Sequence, residues 1–141
     1  MYFLGLDVGS KTLGVAICHV DTQIPSPLTT IRFNENNFNQ AVNLLKSKIK
    51  SFNYEIKEFI IGWPINENGT LNKATERVEK FVNELIKQFP NCKYKLQNER
   101  YTTKIANEML FDMELKASLR SKNIDKISAV LILEFFLNEQ R

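Results

Sequence analysis

The chain has 141 residues, with 19 Lys and Arg against 16 Asp and Glu, and a formal net charge of +3. Hydrophobic residues make up 43% and charged residues 25%, which excludes a disordered or collagen-like chain and suits one domain spanning 1–141. The single His and the two cysteines, Cys18 and Cys92, are too few for a structural zinc site and speak against a Ser-His-Asp triad, which leaves carboxylates to carry any chemistry.

The N-terminus has no basic start and reaches Asp7 early, so no secretory signal is expected. The longest wholly apolar stretch near the C-terminus, Ala129 to Leu133, is far too short to span a bilayer. Two isolated cysteines read as reduced thiols, so the expected location is cytoplasmic, away from membranes.

Residues 2–8 form an apolar run ending at Asp7 and Gly9, the pattern of a central strand. A turn at Gly9-Ser10-Lys11 and a second apolar run over 12–20 predict a β-hairpin. Residues 28–33 alternate and predict a third strand, with Pro25 and Pro27 in the loop before it. Phe38, Ala41, Val42, Leu45, Ile49 and Phe52 recur at spacings of three and four, predicting an amphipathic helix. Residues 57–61 read as a buried strand, 63–72 as a loop rich in turn formers, and Ala74 to Phe89 as a helix ending at Pro90. A fifth strand is predicted over 92–97, a helix over 103–112, a polar basic connection over 113–122, and a last helix from about Asn123 to Asn138. The order β-β-β-α-β-α-β-α-α implies an α/β fold with a five-stranded mixed sheet, three antiparallel strands followed by βα units, flanked by helices.

Three acids stand out by position. Asp7 closes the first strand inside an apolar run, where an ionised carboxylate needs a partner or a metal. Glu99 follows the fifth strand, and sites in open α/β sheets gather at the carboxyl ends of strands. Asp125 opens the last predicted helix beside Ile124, Ile127 and Val130. Each has a plainer reading: a turn residue before Gly9, a surface pair with Arg100, and a first-turn acid favoured by the helix dipole. Three converging carboxylates repel one another unless divalent cations neutralise them. Mg²⁺ or Mn²⁺, two ions roughly 3.5–4 Å apart, could then activate a water and stabilise the leaving oxygen of a phosphodiester.

Four segments in order carry a family resemblance. Leu6 to Ala16 (LDVGSKTLGVA), the loop Ile61-Gly62-Trp63-Pro64-Ile65-Asn66 through Asn68-Gly69-Thr70, Asn98-Glu99-Arg100-Tyr101-Thr102-Thr103, and Ile124 to Glu134 together resemble the motifs of the YqgF/RuvX family of pre-16S rRNA nucleases, also described as Holliday junction resolvases. The resemblance covers essentially the whole chain. It implies a ribonuclease H-like fold, and it implies that Asp7, Glu99 and Asp125 are the catalytic, metal-binding acids. The implied role is processing the 5′ end of precursor 16S rRNA in the bacterial cytoplasm, with nucleic acid as partner, contact with ribosomal particles, and a monomeric or weakly dimeric state. Asn98 stands where the family has Asp, and Trp63 where Leu is common.

Candidate nucleic-acid contacts are Lys11 beside Asp7, Trp63 and Asn66 in the loop, Arg100 as a bidentate phosphate clamp, and the basic stretch Lys116, Arg120, Lys122 and Lys126. Three rival readings remain. The first motif also occurs in sugar kinases and actin-like ATPases, which need two lobes where this length supplies one. A DNA junction resolvase shares the acids, and Asn98 suggests a binding module without catalysis.

Overall fold

Tyr2–Val8 forms β1, whose apolar sequence suits burial on both faces. It sits at the centre of a sheet ordered β3-β2-β1-β4-β5, with β2 at Thr12–His19, β3 at Ser26–Arg32, β4 at Ile56–Trp63 and β5 at Lys93–Asn98. The helices are α1 (Phe38–Phe52), α2 (Lys73–Gln88) and α3 (Ala117–Gln140). This computed structural model describes residues 1–66, 68–98 and 117–140, with the side chains of 117–125 outside the description.

β1 pairs antiparallel with β2 and parallel with β4. β2 pairs antiparallel with β3, and β4 parallel with β5. The sheet is therefore mixed, and the carboxyl ends of β1, β3, β4 and β5 share one edge. Asn37 caps α1 by accepting from the Gln40 N–H at 3.0 Å, and Asn53 ends it in the left-handed region at φ 56°. Asn72 and Thr75 form a reciprocal capping box at the start of α2.

The two faces of the sheet carry separate cores. On one face Leu4, Leu6, Val15, Phe59 and Ile61 pack with Phe38 and Leu45 of α1 and with Phe81 and Leu85 of α2. On the other, Phe3, Ala16, Cys18 and Ile60 pack with Ala129, Ile132, Leu133 and Phe136 of α3. A fully buried Leu or Phe contributes about 1.5–3 kcal/mol relative to exposure, so both layers are strongly driven.

Three boundaries differ from the sequence expectation. β4 continues through Trp63, because parallel pairing with β5 extends the ladder to Asn98. β3 takes in Pro27 near its start, which an edge strand tolerates because the missing N–H can face outward. α3 begins at Ala117, several residues before the predicted start near Asn123. No Gly or Pro lies between 117 and 140, and Ala117, Leu119, Arg120 and Lys122 are good helix formers. Arg120 and Lys122 thus stand on helix, not on a basic loop, and Asp125 lies in the third turn of α3 instead of opening it. Its first-turn dipole reading fails with that placement. The predicted helix over 103–112 lies outside the described residues.

Candidate active site at the carboxyl edge of the sheet

Strand alternation decides which way Asp7 faces. Phe3 lies in the α3 core, so Gly5 and Asp7 follow it onto the α3 face of β1. Asp7 is half-buried. Its partner on β2 is Gly14. On β4, one step beyond the Leu6–Ile61 pair, comes Gly62, on the same face as Ile60 of the α3 core. The carboxylate is therefore flanked on both neighbouring strands by residues without side chains.

Helix α3 is seated by a close approach at Gly5. A Cβ at that position would stand 2.7 Å from the Ala129 carbonyl oxygen and 2.7 Å from Leu133 Cγ, so only glycine allows the helix to lie this low. The rings of Phe3 and Phe136 meet with centroids 5.2 Å apart. Moving along β1 from Phe3 to Gly5 thus corresponds to moving back along α3 from Phe136 to Ala129. The next residue on that face of β1 is Asp7, and the helix position one turn before Ala129 is Asp125. The side chain of Asp125 is outside the description. Glu99 and Arg100, which follow β5 directly in the chain, and Lys116 lie outside the described residues. Lys126 is half-buried on α3.

Asn98 ends β5 opposite Trp63. Gln97, one residue earlier, is buried and donates through Nε2 to Glu139 Oε1 of α3 at 2.9 Å, so Gln97 faces α3 and Asn98 faces the other side of the sheet. Asn98, where the family resemblance expects an acid, therefore points away from the face that carries Asp7. Trp63 is half-buried and packs against the α1/α2 core.

Lys11 is exposed in the turn after β1. That turn is pinned by Gly9 N–H to the Thr12 carbonyl at 2.8 Å, Phe33 N–H to the Lys11 carbonyl at 3.0 Å, and Asn36 N–H to the Ser10 carbonyl at 2.7 Å. The amide of Asn66 is engaged inside its own loop: Nδ2 donates to Thr70 Oγ1 at 2.8 Å, and Oδ1 accepts from Asn72 Nδ2 at 2.9 Å. Asn72 also donates to the Pro64 carbonyl at 2.8 Å while capping α2. Sequence reading missed this organising residue, although Asn followed by Thr three positions on was a visible cap signal. Burial pushes the Cys92 thiol up, which keeps it in the unreactive thiol form.

Among the described residues, three buried side-chain atoms lack a hydrogen-bond partner: Thr30 Oγ1, Gln97 Oε1 and Ser128 Oγ. Thr30 pairs with Gly14, which pairs with Asp7, so all three lie in one row on the α3 face. Among the described residues no three His, Cys, Asp or Glu form a metal-holding group.

An open five-stranded mixed sheet with an acid on its central strand and a long helix across the same face defines a ribonuclease H-like fold of the kind found in RuvC-type resolvases. Solved structures agree. Fowlpox virus resolvase with Holliday junction DNA superposes with a TM-score of 0.63 at 11% identity, covering 99% of each chain. Thermus thermophilus RuvC with a Holliday junction superposes at 0.58 with 14% identity, covering 99% of this chain and 96% of that one. The family model RuvX, described as Holliday junction resolvase, matches residues 1–139, and the chain belongs to that family. A protein of Mycoplasmoides gallisepticum named "Putative pre-16S rRNA nuclease" is 41% identical over 141 residues, covering 100% of this chain and 98% of that one. One of the same name from Oceanobacillus iheyensis is 37% identical over 140 residues, covering 99% of this chain and all of its relative.

Proposed function

We propose that residues 1–141 act as one cytoplasmic nuclease domain that hydrolyses phosphodiester bonds with Mg²⁺ or Mn²⁺, and that its substrate is the 5′ region of precursor 16S rRNA. The observation that carries the reading is the seating of α3 on Gly5, which brings the backbone position of Asp125 to the same end of the sheet face as the half-buried Asp7. The names of relatives matched over their whole length support precursor 16S rRNA as substrate, and the choice of its 5′ region follows the family resemblance.

The donor set fits a hard divalent cation. Asp7 offers carboxylate oxygens, and its neighbours across the sheet, Gly14 and Gly62, put no side chains beside it. Asp7, Glu99 and Asp125 would hold the ions, which supply an activated water and neutralise charge on the phosphodiester. Asp7 is carried by the central strand and so is held by the most constrained backbone in the sheet, as a site with demanding geometry requires. Lys11 and Arg100 would draw in the phosphate, and Lys116, Arg120, Lys122 and Lys126 the flanking strand. Asn98 faces away from Asp7, so its replacement of an acid does not remove a group from the Asp7 face. This argues against a binding module that has lost its chemistry.

The test compares the parent protein with Asp7→Asn on 5′-extended 16S precursor RNA and on a four-way DNA junction, with Mg²⁺ or Mn²⁺. The parent should cut the RNA, and the variant should be slower by roughly a thousandfold, equivalent to several kcal/mol of lost charge stabilisation. Equal rates would overturn the site, and exclusive cleavage of the junction would overturn the substrate.

A further inference from the structure

The quadrant of the molecule built from β2, β3 and α1 holds a feature that the nuclease reading leaves unused. β2 and β3 contain no Asp or Glu, and α1 carries Lys46, Lys48 and Lys50 with no acid. Between α1 and the outer edge of β3 runs a groove of about 420 Å³. Arg32 and Lys48 line it together with the hydroxyl residues Thr29, Ser47 and Ser51. Ile31 and Leu44 add an apolar strip, and Leu44 is 39% exposed. Among the described residues no acid lines the groove, and neither Arg32 nor Lys48 makes an ion pair.

The groove also begins where the candidate active site ends. β3 runs parallel to β1, so Arg32 stands at the same edge as Asp7, two strand spacings or about 10 Å across the sheet. Thr12, which follows Lys11, pairs with Arg32, and the Lys11 carbonyl accepts from Phe33 N–H. Arg32 thus shares the α3 face of edge strand β3 with Thr30, next to the Lys11 turn, and Lys48 stands on α1 across the groove that both line.

We infer that this β3–α1 groove binds the phosphodiester backbone of the single strand flanking the cut, with Arg32 and Lys48 as its phosphate contacts. Cations and hydroxyls without a competing acid suit repeated phosphates, and the apolar strip suits the sugars and base faces between them. The inference rests on the nuclease reading only in placing the cut at Asp7.

Binding alone tests it. Fluorescence anisotropy of a labelled single-stranded oligoribonucleotide is measured as a function of salt, in the Asp7→Asn background with EDTA and no added divalent metal, and the probe is verified intact by gel after each titration. Arg32→Glu with Lys48→Glu is compared with Lys57→Glu with Lys93→Glu. The second pair changes net charge equally at the amino end of the sheet, and melting temperatures verify both folds. The groove pair should reduce the slope of log affinity against log salt by about 1.4, which at about 0.1 M salt is roughly 25-fold in affinity. The control pair should lose far less. Equal losses in the two pairs, or none in the groove pair, overturn the inference. Should the charge reversal lower the melting temperature, Arg32→Gln with Lys48→Gln repeats the test with the side-chain stems kept. The matching oligodeoxyribonucleotide should lose the same factor, and a loss confined to RNA overturns a phosphate contact. Failure here leaves the Asp7 cleavage comparison intact, and failure of that comparison leaves this binding result intact.

Discussion

The two faces of the sheet are built to different rules. Under α1 and α2 the strands present large aliphatic and aromatic side chains, and the buried hydroxyl of Thr75 on α2 is satisfied by the capping box. Under α3 the strands present Gly5, Gly14, Gly62 and Asp7, and among the described residues Gln97 and Ser128 bury polar atoms without partners. The first face buries the larger share of the core. The second gives up packing for space and polarity at one end. A mixed sheet covered on both sides can divide the work in this way because one layer alone supplies most of the apolar burial. Buried polar atoms left unpaired cost about 1–3 kcal/mol each, and among the described residues the α3 face carries such atoms at Thr30, Gln97 and Ser128.

Substitutions on the two faces should separate these roles. Asp7→Asn should give the largest effect on rate and almost none on the urea midpoint. Phe81→Ala on the α2 face should cost about 3–5 kcal/mol in urea unfolding, with the rate per folded molecule unchanged. A rate loss beyond the unfolded fraction would mean that the packing face also positions the acids. Gly5→Ala should cost about 1–3 kcal/mol, because the added Cβ meets the Ala129 carbonyl and α3 must lift. Here, unlike Phe81→Ala, cleavage should fall further than stability accounts for, since lifting α3 moves Asp125. Asn72→Ala should cost about 1 kcal/mol through the lost α2 cap, read as a lower thermal midpoint. Ser128→Ala removes a buried hydroxyl without a partner and should leave stability within about 1 kcal/mol of the parent or slightly above it. A large loss there would reveal a hydrogen bond that forms in solution.

Much of this was legible from residue order. Apolar period and punctuation placed all eight described elements, since strands and helices write their own period into the chain. The start of α3 was misplaced because polar helix formers such as Arg120 and Lys122 read as loop when no apolar stripe accompanies them. The extension of β4 to Trp63 came from pairing with β5, which no local window contains. Asn66 looked available for nucleic acid, yet its amide is engaged by Thr70 and Asn72, a network that closes only when the loop folds.

By itself the sequence determined the element order, the scarcity of His and Cys, and the family motifs that contain Asp7, Glu99 and Asp125. Tertiary structure alone decided that Asp7 faces α3 while Asn98 faces the opposite side, that Gly5 sets the height of α3, and that Arg32 and Lys48 share a groove free of acids. The reason is geometric. A strand's alternation is local, but which of its two faces meets which helix is set by pairing register and helix seating between residues far apart in the chain.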